Sequence, residues 1–236
     1  MIPFNVPPCV GDELDYVKQA IDSHKICGDG AFTKQCNAWL EERFHAQKVL
    51  LTTSGTTALD MAMLLCDIHP GDEVILPAPY WVSYIELIKM VGGVPVVVTA
   101  TEAEHFKLTA EKLSAAITPR TKAILLNNPS NPTGMMYDRE ELEAIAAVCT
   151  QADIYVISDE IYACLTYDGR TFTSFASLSA DAKERTILVN GVSKAYAMTG
   201  WRIGYACAND VIAKVMANYV SHSTGSPVAI SQRAAA

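Results

Sequence analysis

Lys194 follows the apolar, β-branched run Thr186-Ile187-Leu188-Val189 and is flanked by small residues; Arg202 precedes a second apolar stretch, Ile203-Gly204-Tyr205-Ala206. Lysine is seldom buried unless something uses or neutralises it. At the mouth of a buried strand, desolvated and near a second cation, a lysine has a lowered pKa and becomes a nucleophile able to form a Schiff base. The plainer reading is a surface lysine.

Four other segments place polar groups after apolar runs. Ser54-Gly55-Thr56, ahead of a helical pattern, offers hydroxyls, a glycine that permits close approach and the free N–H groups of a helix start. That suits a phosphate, although an ordinary Ser/Thr N-cap has the same signature. Trp81, between Tyr80 and Tyr84, either stacks on a flat ring or packs in the core. In Asn127–Gly134, two prolines and a glycine set a turn, either a structural one or one that aims the amides of Asn127, Asn128 and Asn131 at a ligand. Asp159 ends the run Ile154–Ser158 and is followed by Glu160 and Tyr162. A carboxylate there is costly unless a cation or strong donor meets it, in a ligand or, as the structural alternatives, in a helix cap or an ion pair.

Taken together, these residues describe a single ligand. It carries a phosphate for Ser54, Gly55, Thr56 and Arg202, and a flat ring for Trp81. A ring nitrogen is held protonated by Asp159, a ring oxygen meets Asn131 and Tyr162, and an aldehyde is captured by Lys194. Pyridoxal 5′-phosphate has all of these groups.

The elements that must position them alternate. Strand candidates at 48–53, 73–77, 94–98, 122–127, 154–158, 186–191 and 202–208 are separated by helical stretches such as Thr57–Cys66, Val82–Val91, Thr109–Ile117 and Asp138–Thr150. Continuous apolar strands alternating with helices predict an α/β fold: a mainly parallel seven-stranded sheet with helices on both faces, which binds ligands beyond the strands' carboxyl ends. We expect a helical arm over 1–47, a cofactor-binding large domain over 48–208, and over 209–236 the start of a helical connection. The last segment carries no stop signal, so the sequence reads as continuing.

Bulk properties narrow the class. The 236 residues are 50% hydrophobic and 19% charged, with a net charge of −8 and scattered basic residues, which argues against nucleic acid or an anionic membrane as partner. Seven cysteines with no C-x-x-C pair read as reduced core thiols, with no metal site expected. The start lacks a basic n-region and no apolar run approaches the ~20 residues that span a bilayer, so a cytoplasmic protein is expected. The stretch "CGDGAFT" at 27–33 lacks the preceding strand and third glycine of a dinucleotide fingerprint.

The motifs "PAPYWVSY", "NNPSNPTG", "SDEIYACLTYDG" and "VNGVSKAYAMTGWRIGYA" stand in the order and spacing of class I aspartate aminotransferases. From about residue 77 onward the chain resembles that fold-type I, pyridoxal-phosphate-dependent family. The resemblance implies that Lys194 binds the cofactor aldehyde and shuttles a proton, Asp159 pairs with the pyridinium, and Tyr162 and Asn131 bind the ring oxygen. It further implies that Trp81 stacks, Arg202 holds the phosphate, and Ser54, Gly55 and Thr56 form the phosphate loop. Amino acid and 2-oxo acid substrates and a homodimer are implied as well. Residues 1 to about 76 are instead similar to sugar-nucleotide aminotransferases that act on a dTDP-4-keto-6-deoxyhexose, also of fold type I. The expectation is therefore a composite chain that stops short of the family's C-terminal small domain.

Overall fold

A computed structural model describes residues 11–26 and 28–235; Cys9, Cys27 and the first residues of the expected arm lie outside them. Helices α1 (Glu13–Asp22) and α2 (Ala31–Phe44) lead into β1 (Lys48–Thr52). There follow α3 (Gly55–Leu65), β2 (Glu73–Ala78), α4 (Ser83–Met90), β3 (Val94–Thr99), α5 (Ala110–Ala116), β4 (Thr121–Asn127), α6 (Arg139–Ala152) and β5 (Tyr155–Asp159). The chain continues through α7 (Ala180–Arg185), β6 (Thr186–Gly191), the single turn α8 (Val192–Ala195), β7 (Gly204–Ala208), α9 (Asp210–His222) and α10 (Ala229–Ala235).

The strands form one sheet in the order β1-β7-β6-β5-β4-β2-β3. Pairing is parallel from β3 through β6, whereas β7 runs antiparallel to both β6 and β1. Side chains alternate across the pleat. Val74, Leu76, Ala123, Leu125, Ile157 and Ile187 face a core shared with α3, α4 and α9, while Ile75, Ile124, Leu126 and Val156 face one shared with α5, α6 and α7. Both sides of the central strands are thus dry, which is why they read as unbroken apolar runs. Each fully buried aliphatic side chain there contributes roughly 1.5–3 kcal/mol.

A third cluster packs α2 (Cys36, Leu40) onto β1 and β7 (Val49, Leu51, Tyr205, Cys207). Helix α10 returns to this end of the molecule. Thr33 Oγ1 donates to the buried Gln232 Oε1 (2.5 Å), and the Arg233 guanidinium lies 4.3 Å from the Tyr16 ring centroid. The segments expected as N-terminal arm and C-terminal connection therefore touch each other.

The strand directions gather the site. Register pairs Asn127 with Asp159, Asp159 with Val189, Gly191 with Gly204, and Gly204 with Thr52. The carboxyl ends of β1, β4, β5 and β6 therefore share one edge of the sheet. Because β7 is antiparallel, the residues just before it, Arg202 among them, arrive at that same edge.

Candidate active site

Asp159 closes β5 at the middle of this edge and is 4% exposed. Its Oδ2 accepts from the Tyr84 hydroxyl (2.6 Å) and its Oδ1 from the Ile161 amide (3.1 Å). Burial pushes the carboxyl up to about 6, against the pull of these two donors. Among the described residues no cation pairs with it, so the structural ion pair is not what accounts for it.

Tyr162 follows on the turn leaving β5. Burial, and then the neighbouring Asp159, raise its phenol, while a bond from Asn131 draws it back. Asn131 Nδ2 donates to the Tyr162 hydroxyl at 3.5 Å, and Lys194 Nζ lies 5.9 Å from the Tyr162 ring centroid. Asn131 is set by the turn after β4, where its amide donates to Asn127 Oδ1 (2.7 Å). The other two asparagines serve the fold: Asn127 Nδ2 donates to the Asp159 carbonyl (3.0 Å), and Asn128 Oδ1 accepts from the Tyr137 amide (3.0 Å).

Trp81 opens the turn into α4, half-buried against the α3/α4 core. It meets Tyr84 edge to face, with centroids 5.4 Å apart and planes at 85°. Tyr84, one helical turn later, is the link from the indole to Asp159. Read from the sequence as a neighbour of Trp81, it carried no role; the helical spacing of three residues was the signal available.

Ser54 caps α3, its Oγ accepting from the Thr57 amide (3.0 Å), so the N-cap reading of this residue holds. The amides of Gly55 and Thr56 sit in the first turn, where helical N–H groups have no intrahelical acceptor. Gly204 lets this loop approach the sheet: a Cβ there would stand 2.4 Å from the Gly55 nitrogen and 2.4 Å from the Ser54 carbonyl carbon. Gly191 is equally constrained, since its Cβ would meet the Ile203 carbonyl oxygen at 2.8 Å. Sequence reasoning assigned neither glycine.

Lys194 corrects one expectation. It is exposed rather than buried at the strand mouth, because α8 lifts it beyond the end of β6 instead of seating it among the strands. Arg202 is also exposed, in a left-handed conformation (φ 57°, ψ 57°), with Nη1 donating to the Thr199 carbonyl (2.8 Å). Among the described residues neither cation forms an ion pair. A cavity of about 1100 Å³ lies across β6 and β7 beside α2, and none of the candidate site residues lines it. Among the described residues no cluster of three or more His, Cys, Asp or Glu could hold a metal, and no helix is long and apolar enough to cross a membrane.

Comparison with known proteins places this geometry. The family model described as aminotransferase class I and II matches residues 5–236, and so takes in the front segment with its sugar-nucleotide-enzyme resemblance. The aspartate aminotransferase of Geobacillus stearothermophilus is 55% identical over 165 residues, 70% of this chain and 42% of that protein. The asparagine–oxo-acid transaminase of Streptococcus mutans is 46% identical over 189 residues, 80% of this chain and 48% of that one. The chain thus spans less than half the length of these curated relatives. The aspartate aminotransferase structure from Rhizobium meliloti superposes with a TM-score of 0.86 at 36% identity, covering 98% of this chain and 60% of that one.

Pyridoxal 5′-phosphate is the cofactor of this family, and the donor set at the sheet edge fits it. A buried carboxylate that no cation meets among the described residues suits a protonated ring nitrogen. The lysine and arginine, which form no ion pair among the described residues, together with the first-turn amides of α3 suit an aldehyde and a phosphate. The glycine-lined approach of Ser54-Gly55 to β7 leaves no room for a side chain and keeps the loop's backbone against the sheet. By sequence, by fold and by the chemistry of this edge, the chain belongs to the class I and II aminotransferases.

Proposed function

We propose that this chain is the cofactor-binding large domain of a transaminase that moves an amino group between an aspartate-like amino acid and a 2-oxo acid. The observation that carries this reading is the buried Asp159 on the same sheet edge as Lys194, neither of them in an ion pair among the described residues. Pyridoxal 5′-phosphate, when bound, supplies an aldehyde for amine capture and a ring that takes up electron density. Asp159 holds the proton on the ring nitrogen. Tyr162 and Asn131 donate to the ring oxygen, and Trp81 covers the ring face. Ser54, Gly55, Thr56 and Arg202 take the phosphate. Lys194 Nζ would hold the aldehyde and, once the substrate amine has taken its place and freed it, would accept the proton from the amino acid's Cα.

On the same reading the working protein is a cytoplasmic homodimer. Residues 1–47 form its helical arm, 48–208 its cofactor domain and 209–236 the start of its helical connection.

The test is an absorbance titration with pyridoxal 5′-phosphate, run beside Lys194→Ala and followed by aspartate or glutamate. A Lys194-dependent band at the edge of the visible, bleached by the amino acid, is expected. A folded protein without such a band would refute the cofactor role of Lys194. A band that amino acids leave untouched would mean that the chain binds the cofactor without catalysing this transfer, as an inactive fragment would; the keto-sugar aminotransferase reading, which the residues before about 77 resemble, is then the next to test.

A further inference from the structure

Glu160 is 2% exposed, adjoins Asp159 in sequence and has no part in the chemistry above. Its Oε1 gathers three donors: Ser158 Oγ (2.9 Å), Ser174 Oγ (2.9 Å) and the Phe175 amide (3.0 Å). Its backbone is held as well, the amide donating to the Val189 carbonyl on β6 (2.9 Å) and the carbonyl accepting from the Ala163 amide (2.9 Å). One residue therefore ties the end of β5 to β6, begins the turn that carries Tyr162, and receives the chain again at Ser174-Phe175.

The segment between those ends would otherwise be loose. It leaves the sheet at Ile161, makes no strand, and returns at Phe175, which is 1% exposed in the α5/α6/α7 core. Further ties are few: the Ile161 amide donates to Asp159 Oδ1 (3.1 Å), Asn131 Nδ2 donates to the Tyr162 hydroxyl (3.5 Å), and Arg170 Nη2 donates to the Met136 carbonyl (3.0 Å) and to Asp138 Oδ1 (2.6 Å). Closing a flexible loop of this length costs conformational entropy, and a buried acceptor oxygen with three donors offsets part of it.

We propose that Glu160 is a positioning residue: by closing the 161–174 loop on a single oxygen it fixes where the Tyr162 hydroxyl stands relative to Asn131 and Lys194. The cofactor side of this inference rests on the reading of the site given above; the loop-closing side does not. Burial raises the Glu160 carboxyl to about 7 despite the three donors, so the neutral amide of glutamine, which keeps an acceptor at the same place, should substitute for it.

The experiment compares Glu160→Ala, Glu160→Gln and Ser174→Ala in the full chain. Without cofactor, hydrogen–deuterium exchange over residues 161–174 should rise strongly in Glu160→Ala, modestly in Ser174→Ala and little in Glu160→Gln. With pyridoxal 5′-phosphate, Glu160→Ala should weaken binding about tenfold, the lower end of the loss that follows removal of an outer partner orienting a metal ligand. It should also move the pH midpoint of the Lys194-dependent band in the same direction as Tyr162→Phe. The double variant should then move it no further. Unchanged loop exchange in Glu160→Ala overturns the proposal, as does a midpoint shift that adds fully to that of Tyr162→Phe. Absence of any Lys194-dependent band in the wild type would sink the cofactor reading, while the exchange comparison would still decide whether Glu160 closes the loop.

Discussion

The Tyr84 hydroxyl donates to Asp159 Oδ2 at 2.6 Å, joining α4 to the end of β5 across 75 positions of sequence. Tyr84 is 2% exposed, and its phenol is held well above its ordinary value first by burial and then by the Asp159 charge. It therefore stays protonated and keeps an O–H to donate, which draws the Asp159 carboxyl down against the upward push of burial. The same ring meets Trp81 edge to face, so one side chain contacts both the Asp159 carboxylate and the Trp81 indole.

Removing that donor should raise the Asp159 carboxyl above about 6. Tyr84→Phe preserves the ring packing and should cost roughly 1.5–3 kcal/mol of stabilisation of the ionised carboxylate. Affinity for pyridoxal 5′-phosphate should fall about tenfold at pH 7, and the loss should shrink as pH rises and Asp159 ionises regardless. Titrations at pH 6.5 and 8.5 check this; an equal loss at both would show that the bond does not control ionisation.

The phosphate loop gives a prediction that needs two ligands. Arg202→Ala and Ser54→Ala should each weaken pyridoxal 5′-phosphate by about ten- to a hundredfold while leaving pyridoxal, which lacks the phosphate, nearly unaffected. Ser54→Ala should also lower stability by about 1 kcal/mol through loss of the α3 cap. Parallel loss of both ligands in Arg202→Ala would place that arginine elsewhere than the phosphate.

The sheet was legible because its central strands are dry on both faces, so each appears as an apolar run; β6 matches its expected bounds 186–191, and β2 and β3 each run one residue longer than expected. β7 begins at Gly204, two residues after the apolar pattern starts, because Arg202 takes a left-handed conformation unlike that of a strand. Its antiparallel direction leaves no mark on composition. Most candidate site residues could be picked out as polar groups following apolar runs. Lys194 was misjudged as buried since a sequence shows what precedes a residue but not that one helical turn lifts it clear of the sheet. Tyr84 and Glu160 were missed as partners because their bonds form only once α4, β5 and the 174–175 turn are in place.

The two adjacent buried carboxyls should make the cofactor-free chain less stable at higher pH. Burial raises Asp159 to about 6 and Glu160 to about 7, above their ordinary values near 4. Between roughly pH 4 and 7 the unfolded chain therefore ionises these groups while the folded one resists, so stability falls as pH rises through that window. For Glu160 alone the effect is at most on the order of 3 kcal/mol. Carboxyls held low by their partners, Glu104 and Asp181 at about 2, lose their contribution only under more acidic conditions. Urea unfolding at pH 5 and 8 should show the wild type losing stability and Glu160→Gln losing less; matching slopes would refute the assignment.

Two glycines separate packing from backbone freedom. A Cβ at Gly204 would lie 2.4 Å from backbone atoms of Ser54 and Gly55, which have no flexible end to swing aside, whereas one at Gly200 meets nothing within 4 Å. Gly204→Ala should therefore force β7 and the phosphate loop apart, costing about 3 kcal/mol, while Gly200→Ala should stay within about 0.5 kcal/mol of the wild type. Because the displaced atoms include the Gly55 nitrogen, Gly204→Ala should also lose affinity for pyridoxal 5′-phosphate more than for pyridoxal, measured at a temperature where the variant remains folded. Equal losses for the two ligands would mean that the strain relaxes through β7 and Ile203, leaving the loop in place; full affinity for both would mean that the close approach of loop and strand is irrelevant to the phosphate.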